Sequence, residues 1–369
     1  MNLQIAVIVS IFGLWITMSL YVRYFAYTNW PLWVKGICFL GCALVALLPV
    51  FVPREWSRAY GSRFALAETA FYFVYIFAII LFAFTVMRDI CWLVLSLFRV
   101  ASNPFDVVGF SKVNSLTILL ALACSGWSLY EGTRVPGVKE TVLLSPKIVQ
   151  EKSVVVLSDL HISRTVNPQK IQGIVQKTNA LNPDVILLAG DIVDDDVAVI
   201  EKPLALLGDL KAKQGVYFVS GNHEFYVGYS ASMRALENLG FTSLENKKLS
   251  LDPQFYLAGV ADLRTTAHFG GESKVADVLQ DLPQTAYTIL VSHSPTPLDL
   301  PFDLQVSGHT HGGQIFPFHV FTWLGNHHLL AGYYPDERIY ISRGSGQWGP
   351  QMRFLAPAEI TLIHLKPSK

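Results

Sequence analysis

Residues 3 to 22, 36 to 52, 66 to 87 and 113 to 130 contain one charged side chain among them, Glu68. A helix needs about 20 apolar residues, each rising about 1.5 Å, to cross the hydrocarbon core of a bilayer. Backbone in lipid must also satisfy its own hydrogen bonds, so runs of this length are expected to be helical. The sequence therefore predicts four transmembrane helices within residues 1–135, the second of them, closing on Pro49 and Pro53, being the shortest. Tyr21, Tyr24, Trp30, Trp33, Trp56, Trp92 and Trp127 stand near the ends of the runs, as in an interfacial aromatic belt. Residues 88–99 read either as an extension of the third helix or as a segment lying along the interface. The first run lacks a basic leader and is followed by further apolar spans, so it reads as a retained anchor rather than a signal peptide.

This places the chain in a cell membrane as a multi-pass protein with the bilayer as a partner, but its orientation stays open. If the N-terminus is inside, the inner flanks carry Arg54, Arg58, Arg63, Arg134 and Lys139, and the outer ones Arg23, Lys35, Arg88, Arg99 and Lys112. The positive-inside rule does not choose between equal sets. Cys38, Cys42, Cys91 and Cys124 all fall in or beside the apolar runs, so no disulfide framework is expected downstream. The 28 basic and 28 acidic residues cancel and form no basic run, so a nucleic-acid partner has no electrostatic support. Nothing in the sequence points to a protein partner.

From residue 149 to 369 the pattern changes to short β-branched runs that end in polar clusters. Ser153 to Leu157 leads into Ser-Asp-Leu-His, Val185 to Ala189 into Gly-Asp, and Val216 to Val219 into Ser-Gly-Asn-His. Thr288 to Val291 leads into Ser-His-Ser, and Leu304 to Val306 into Ser-Gly-His-Thr-His. Continuous apolar strands are usually covered on both faces. Helices are predicted at Pro168 to Leu181, with Asn167 as N-cap, and at Ser230 to Leu239; further strands are predicted in 251–260 and 338–365. The fold expected is an α/β domain with a two-sheet β-sandwich flanked by helices, its ligands gathered at the carboxyl ends of strands.

Five clusters follow five strands in order: Asp159-x-His161, Gly190-Asp191, Gly221-Asn222-His223-Glu224, His293, and Gly308-His309-Thr310-His311. Each is weak alone, since a strand-end Asp is often only a helix cap. Together they offer imidazole, carboxylate and amide oxygens without a thiolate, a set that suits manganese, iron or zinc in a catalytic site. Two such cations about 3.5 to 4 Å apart can clamp a phosphoryl group from both sides, provided that a carboxylate bridges them. Gly190, Gly221 and Gly308 are expected to supply positive φ beside the ligands.

In these blocks, residues from about 153 to 365 resemble the calcineurin-like metallophosphoesterase family. The resemblance implies a first metal on Asp159, His161, Asp191 and His311, and a second on Asp191, Asn222, His293 and His309, with Asp191 as the bridge. It implies two divalent ions, manganese first among them, and a hydroxide between them as the nucleophile. His223 matches the family's unliganded catalytic histidine, and Asp194 the acid that orients it; the alternative reading of Asp194 to Asp196 is a solvated turn. His319, His327 and His328 match no block and are expected near the pocket mouth.

The second block lacks the Arg-Gly of phosphoprotein phosphatases, which argues against a phosphoprotein substrate. The fifth block, Gly308 to Gln314, with Ser342 to Gly346 and Arg353-Phe354, is similar to membrane-anchored bacterial and transmembrane metallophosphoesterases. That resemblance implies hydrolysis of a phosphodiester or pyrophosphate bond in a lipid-linked substrate, a step of lipid metabolism. The aromatic-rich loop from Phe316 to Tyr334 would then supply an apolar rim. The competing expectations are a nuclease or cyclic-nucleotide phosphodiesterase, and a catalytically silent membrane scaffold.

Overall fold

The computed structural model describes residues 3–51, 62–100, 111–268 and 274–368. It separates into two compact units, Met1–Tyr130 with Pro350–Phe354, and Glu131–Gly349 with Leu355–Lys369.

The first unit is built on helices α1 (Leu3–Tyr21), α2 (Leu32–Phe51), α3 (Ser62–Leu97) and α4 (Lys112–Thr133). Four spans were expected; among the described residues two stretches are long and apolar enough to cross a membrane, Ala67–Leu97 and Lys112–Thr133. Of α2, the residues whose side chains are described form the shorter apolar stretch Leu32–Leu47. Only part of α1 carries described side chains, and Arg54, Trp56 and Arg58 lie outside the described residues. Residues 88–97 extend α3 rather than forming a separate segment. The helix continues past Arg88 and Asp89 because their charges are met within the unit: Asp89 pairs with Arg23 and Arg88, and Arg88 also donates to Asn114.

The second unit contains strands β1 (Gly137–Ser145), β2 (Lys152–Leu157), β3 (Val185–Ala189), β4 (Val216–Val219), β5 (Thr242–Ser243), β6 (Lys247–Asp252), β7 (Phe255–Gly259), β8 (Tyr287–Val291), β9 (Leu304–Ser307), β10 (Gly332–Tyr334), β11 (Ile339–Ile341) and β12 (Glu359–Pro367). Its helices are α5 (Pro168–Ala180), α6 (Val197–Ala205), α7 (Asn222–Val227), α8 (Tyr229–Asn238), α9 (Leu263–His268), α10 (Val275–Leu279) and α11 (Phe318–Gly325). One sheet runs β1-β12-β2-β3-β4-β5 and the other β10-β11-β9-β8-β7-β6. Strands β2 to β5 are mutually parallel, as are β7, β8, β9 and β11. The expected strand over 251–260 is instead a β6–β7 hairpin, antiparallel with an irregularity between Ser250 and Asp252. The edge strand β1, parallel to β12, starts this unit ahead of the boundary at 149 read from the sequence. Its alternating exposed residues gave no apolar run to find.

The sheets pack face to face through Val154, Val156, Leu187 and Val219 on one side and Leu257, Ile289, Val291 and Val306 on the other. The outer face of the first sheet is covered by α5, α6 and α8, which contribute Ile171, Ile174, Ile200, Leu204 and Leu236. On α5 the buried residues Ile171, Ile174, Val175 and Thr178 form one stripe at helical spacing, and Asn167 caps the helix through Gln169 N at 2.9 Å. Burying an aliphatic side chain of this kind contributes about 1.5–3 kcal/mol. Because both faces of β2, β3, β4, β8 and β9 are covered, polar residues can gather only where the strands end.

Candidate metal centre

Backbone pairing continues beyond the ends of β2 and β3. Asp159 N donates to Gly190 O at 3.0 Å, His161 N to Asp191 O at 3.0 Å, and Asp194 N to Ile162 O at 3.0 Å. This places Asp159 and His161 beside Asp191 before any side-chain contact is considered. Asp159, His161, Asp191, His309 and His311 all have φ between 45° and 71°, a strained conformation for residues with a Cβ. The glycine expectation therefore needs correction. Gly190 has φ +82°, but the turn falls otherwise on the functional residues themselves. Gly221, at φ −105°, and Gly308 serve by being small: a Cβ would stand 2.2 Å from Asp191 Oδ1 at the first and 2.4 Å from Asp159 Oδ2 at the second.

Two groups of donor atoms converge, Asp159 with His161 and His311, and Asp191 with His293 and His309. His311 Nε2 is 3.4 Å from Asp159 Oδ1, and His161 Nε2 is 3.1 Å from His311 Nε2. Asn222 Oδ1 joins the second group, 3.0 Å from His309 Nδ1. Asp191 faces both, its Oδ2 lying 3.6 Å from His161 Nε2 and 3.2 Å from His293 Nε2. All seven predicted ligands are thus brought together, in the two halves expected for them.

The chemistry of these atoms fits cations. His293 Nδ1 donates to Ala189 O at 2.8 Å, leaving Nε2 facing a carboxylate; this buried nitrogen has no hydrogen-bond partner. A lone pair there is unfavourable unless a proton or a metal lies between the two atoms. Burial opposes protonation of His293, yet Asp191 raises its imidazole well above the ordinary range. Burial likewise disfavours ionised Asp191, but His293 and His223 hold its carboxyl well below the usual carboxylate range. Burial, with the charge of His293, pushes His309 down to about 4, which leaves its ring neutral and able to ligate.

A third group joins Asp194 to His223 and His161. Asp194 Oδ1 accepts from His223 Nδ1 at 2.7 Å, and its Oδ2 lies 3.4 Å from His161 Nδ1. Burial works against the charge on both partners, yet each pKa moves toward the ion pair: Asp194 falls, and His223 rises through Asp191 and Asp194. The three consecutive acids are not a solvated turn. Asp195 makes a two-point ion pair with Arg164, at 2.5 and 2.6 Å, and Asp196 caps α6 through Ala198 N.

Sequence reasoning quoted Glu224 but gave it no role. Its fully buried carboxylate accepts four backbone N–H bonds, from Asp191 at 3.1 Å, Ile192 at 2.7 Å, Val193 at 2.8 Å and Gly221 at 2.7 Å. It thereby ties the loop of Asp191 to the helix that carries Asn222 and His223. Glu245 holds the turn between β4 and that helix by accepting from Ser220 N at 2.6 Å. The sequence signal for Glu224 is an acid three residues after Gly221, and Glu245 carries none. His319, His327 and His328 belong to or follow α11, and among the described residues none joins the donor groups.

Residues 152–313 match the calcineurin-like phosphoesterase family. An uncharacterized metallophosphoesterase of Helicobacter pylori is 34% identical over 273 residues, 72% of this chain and 73% of that protein. One of Campylobacter jejuni is 29% identical over 296 residues, covering 78% of this chain and 79% of that one. A zebrafish transmembrane protein with metallophosphoesterase domain is 29% identical over 278 residues, 70% of this chain and 64% of that protein. With five motifs at the carboxyl ends of five strands and relatives of this kind along most of its length, the chain belongs to the calcineurin-like metallophosphoesterase family.

Proposed function

We propose that this phosphoester hydrolase cleaves a phosphodiester or pyrophosphate bond in a lipid-linked substrate, with two divalent cations, manganese by preference. Asp159, His161, Asp191 and His311 would hold one ion and Asp191, Asn222, His293 and His309 the other. The observation that carries this reading is the position of Asp191, whose Oδ2 stands within 3.6 Å of a donor nitrogen in each half of the site. When bound, the cations would lower the pKa of water and polarise the phosphoryl oxygens.

The chain's own residues orient and supply protons. Asp194 holds Nδ1 of His223 and fixes its ring, and the imidazolium form would give its Nε2 proton to the oxygen of the departing group. Burial lowers the His223 pKa, but Asp191 and Asp194 raise it more, which favours the imidazolium form. Glu224 fixes the loop of Asp191 against the helix of His223, so ligand and acid keep their spacing.

A membrane-resident substrate is favoured by α11, where Val320, Phe321, Trp323 and Leu324 are all exposed just after the fifth motif. It is also favoured by the two apolar helices long enough to span a bilayer and by relatives named as transmembrane proteins. The test is hydrolysis by the full chain in detergent with Mn²⁺, comparing lipid phosphodiesters and lipid pyrophosphates with cyclic nucleotides and oligonucleotides. Higher kcat/KM on the lipids supports the proposal. Preference for nucleotides would replace it with a nuclease or cyclic-nucleotide phosphodiesterase, and inactivity on every substrate, with the metals bound, with a silent scaffold.

A further inference from the structure

Two aromatic rings flank the His223 imidazole. Tyr226, one turn along α7, has its ring centroid 5.4 Å away at 62°, and Trp348 stands 6.0 Å away at 74°. His223 itself is buried, while Tyr226 is 63% and Trp348 46% exposed. Aromatic residues kept for packing would bury these faces; here much of each remains in water beside the proton donor.

The loop that carries Trp348 is fixed from two directions. Ser345 N donates to Ser158 O at 2.8 Å and Gly346 N to Asp159 O at 3.1 Å, so the loop is tied to the turn of a candidate ligand. No side chain fits at Gly346, where a Cβ would lie 2.2 Å from Leu160 O. Gln314 completes the attachment: its Nε2 donates to Trp348 O at 2.8 Å and its Oε1 accepts from Trp348 N at 3.1 Å. Gln314 sits three residues after His311 with φ 47° and ψ −52°, an unfavourable conformation for a side-chain-bearing residue. A strained residue whose amide holds one tryptophan backbone on both sides points to a position under constraint.

We infer that Tyr226 and Trp348 form a subsite for the group that leaves, and that this group carries a ring: an aryl, a base or a sugar whose flat face packs on exposed aromatic surface. The inference rests on the proposed function, since it takes His223 as the residue that faces the leaving oxygen. Both rings offer polar tips beside apolar faces, a combination that suits a ring substituted with hydroxyl or amide groups better than a plain alkyl chain. Lipid and ring are compatible if the ring lies next to the scissile phosphate. Nucleobase and sugar sources share this chemistry and would be separated by adding uridine and methyl glucoside as competitors.

The test uses the Mn²⁺-loaded full chain in detergent and calorimetric Kd values for inorganic phosphate, benzylphosphonate and ethylphosphonate. The expected result is at least tenfold tighter binding of the benzyl than of the ethyl compound. Trp348→Ala and Tyr226→Ala should each reduce that ratio to within twofold of unity, with phosphate affinity unchanged. Gln314→Ala should lower it partway. Tyr226→Phe, which removes the hydroxyl that contacts Asn222 but keeps the ring, and Trp348→Phe, which guards against misfolding of the alanine variant, should preserve it. Equal affinity for the two phosphonates, or a preference that survives both alanine variants, would overturn the inference and leave the proposed function standing. Failure of phosphate itself to bind would remove the proposed function, and this subsite with it.

Discussion

On α4, Leu116, Leu119 and Leu120 are more than half exposed while Asn114, Ser125 and Ser128 are buried; on β3, every residue from Val185 to Ala189 is buried between covering layers. The same apolar side chains thus face outward in one unit and inward in the other. An outward apolar face suits an apolar surrounding, so the outer face of α4 matches a helix long and apolar enough to cross a membrane, while the sheets exclude water. Buried charge follows the same division. In the helical unit half-buried charge is neutralised in small pairs such as Arg23 with Asp89. In the sheet unit the largest cluster of buried carboxylates and imidazoles lies at the ends of β2, β3, β4, β8 and β9, as a site for cations would need.

Substitutions can break this contrast, and the largest effect is expected at its chemical centre. His223→Gln should lower kcat by about 10²- to 10⁴-fold without releasing metal, because it removes a proton donor and no ligand. Steady-state kinetics with parallel metal analysis would decide, and metal loss would make His223 a ligand instead. Next comes a matched pair of leucines. Leu187→Ala, between the sheets at 0% exposure, should cost about 2–5 kcal/mol in chemical denaturation of the sheet unit. Leu119→Ala on the outward face of α4 should stay within about 0.5 kcal/mol in detergent; equal losses would erase the distinction drawn above.

A loss smaller than that of Leu187→Ala is expected at Asp195. Burial raises its pKa, but the bond from Arg164 outweighs this and holds the carboxyl below its usual range. A depressed folded-state pKa contributes stability above the unfolded value of about 3.9, and that contribution is lost as pH falls through the folded value. Asp195→Asn should therefore cost about 1 kcal/mol at pH 7, and the difference from the native chain should shrink as pH falls below about 3.9. Thermal melts across that range test the sign; a gap that widens in acid would contradict it.

The strands and their polar ends were readable because a sheet covered on both faces forces apolar runs and confines polar residues to their ends. Asp159, His161, Asp191 and the polar clusters after β4, β8 and β9 stand where that rule puts polar residues, and their reading as ligands came from the family resemblance. The role of Glu224 was not readable, because its four partners come from two loops, three of them about 30 residues upstream, and a single acid carries no trace of them. The length of α3 was hidden for a similar reason: Arg88 and Asp89 look like the end of an apolar run until Arg23 and Asn114 are placed beside them. Periodicity also says nothing of strain, so the positive φ angles were assigned to glycines when most fall on the ligands.

Metal content tests the central claim most directly, that donors from five strand ends meet around cations through Asp191. Inductively coupled plasma analysis of the full chain, purified in detergent and dialysed against Mn²⁺-free buffer, should find about two transition-metal ions per chain. The count should fall to one or fewer in Asp191→Asn while circular dichroism stays unchanged. A native chain at background metal levels, or an Asp191→Asn chain that keeps both ions, would contradict the account.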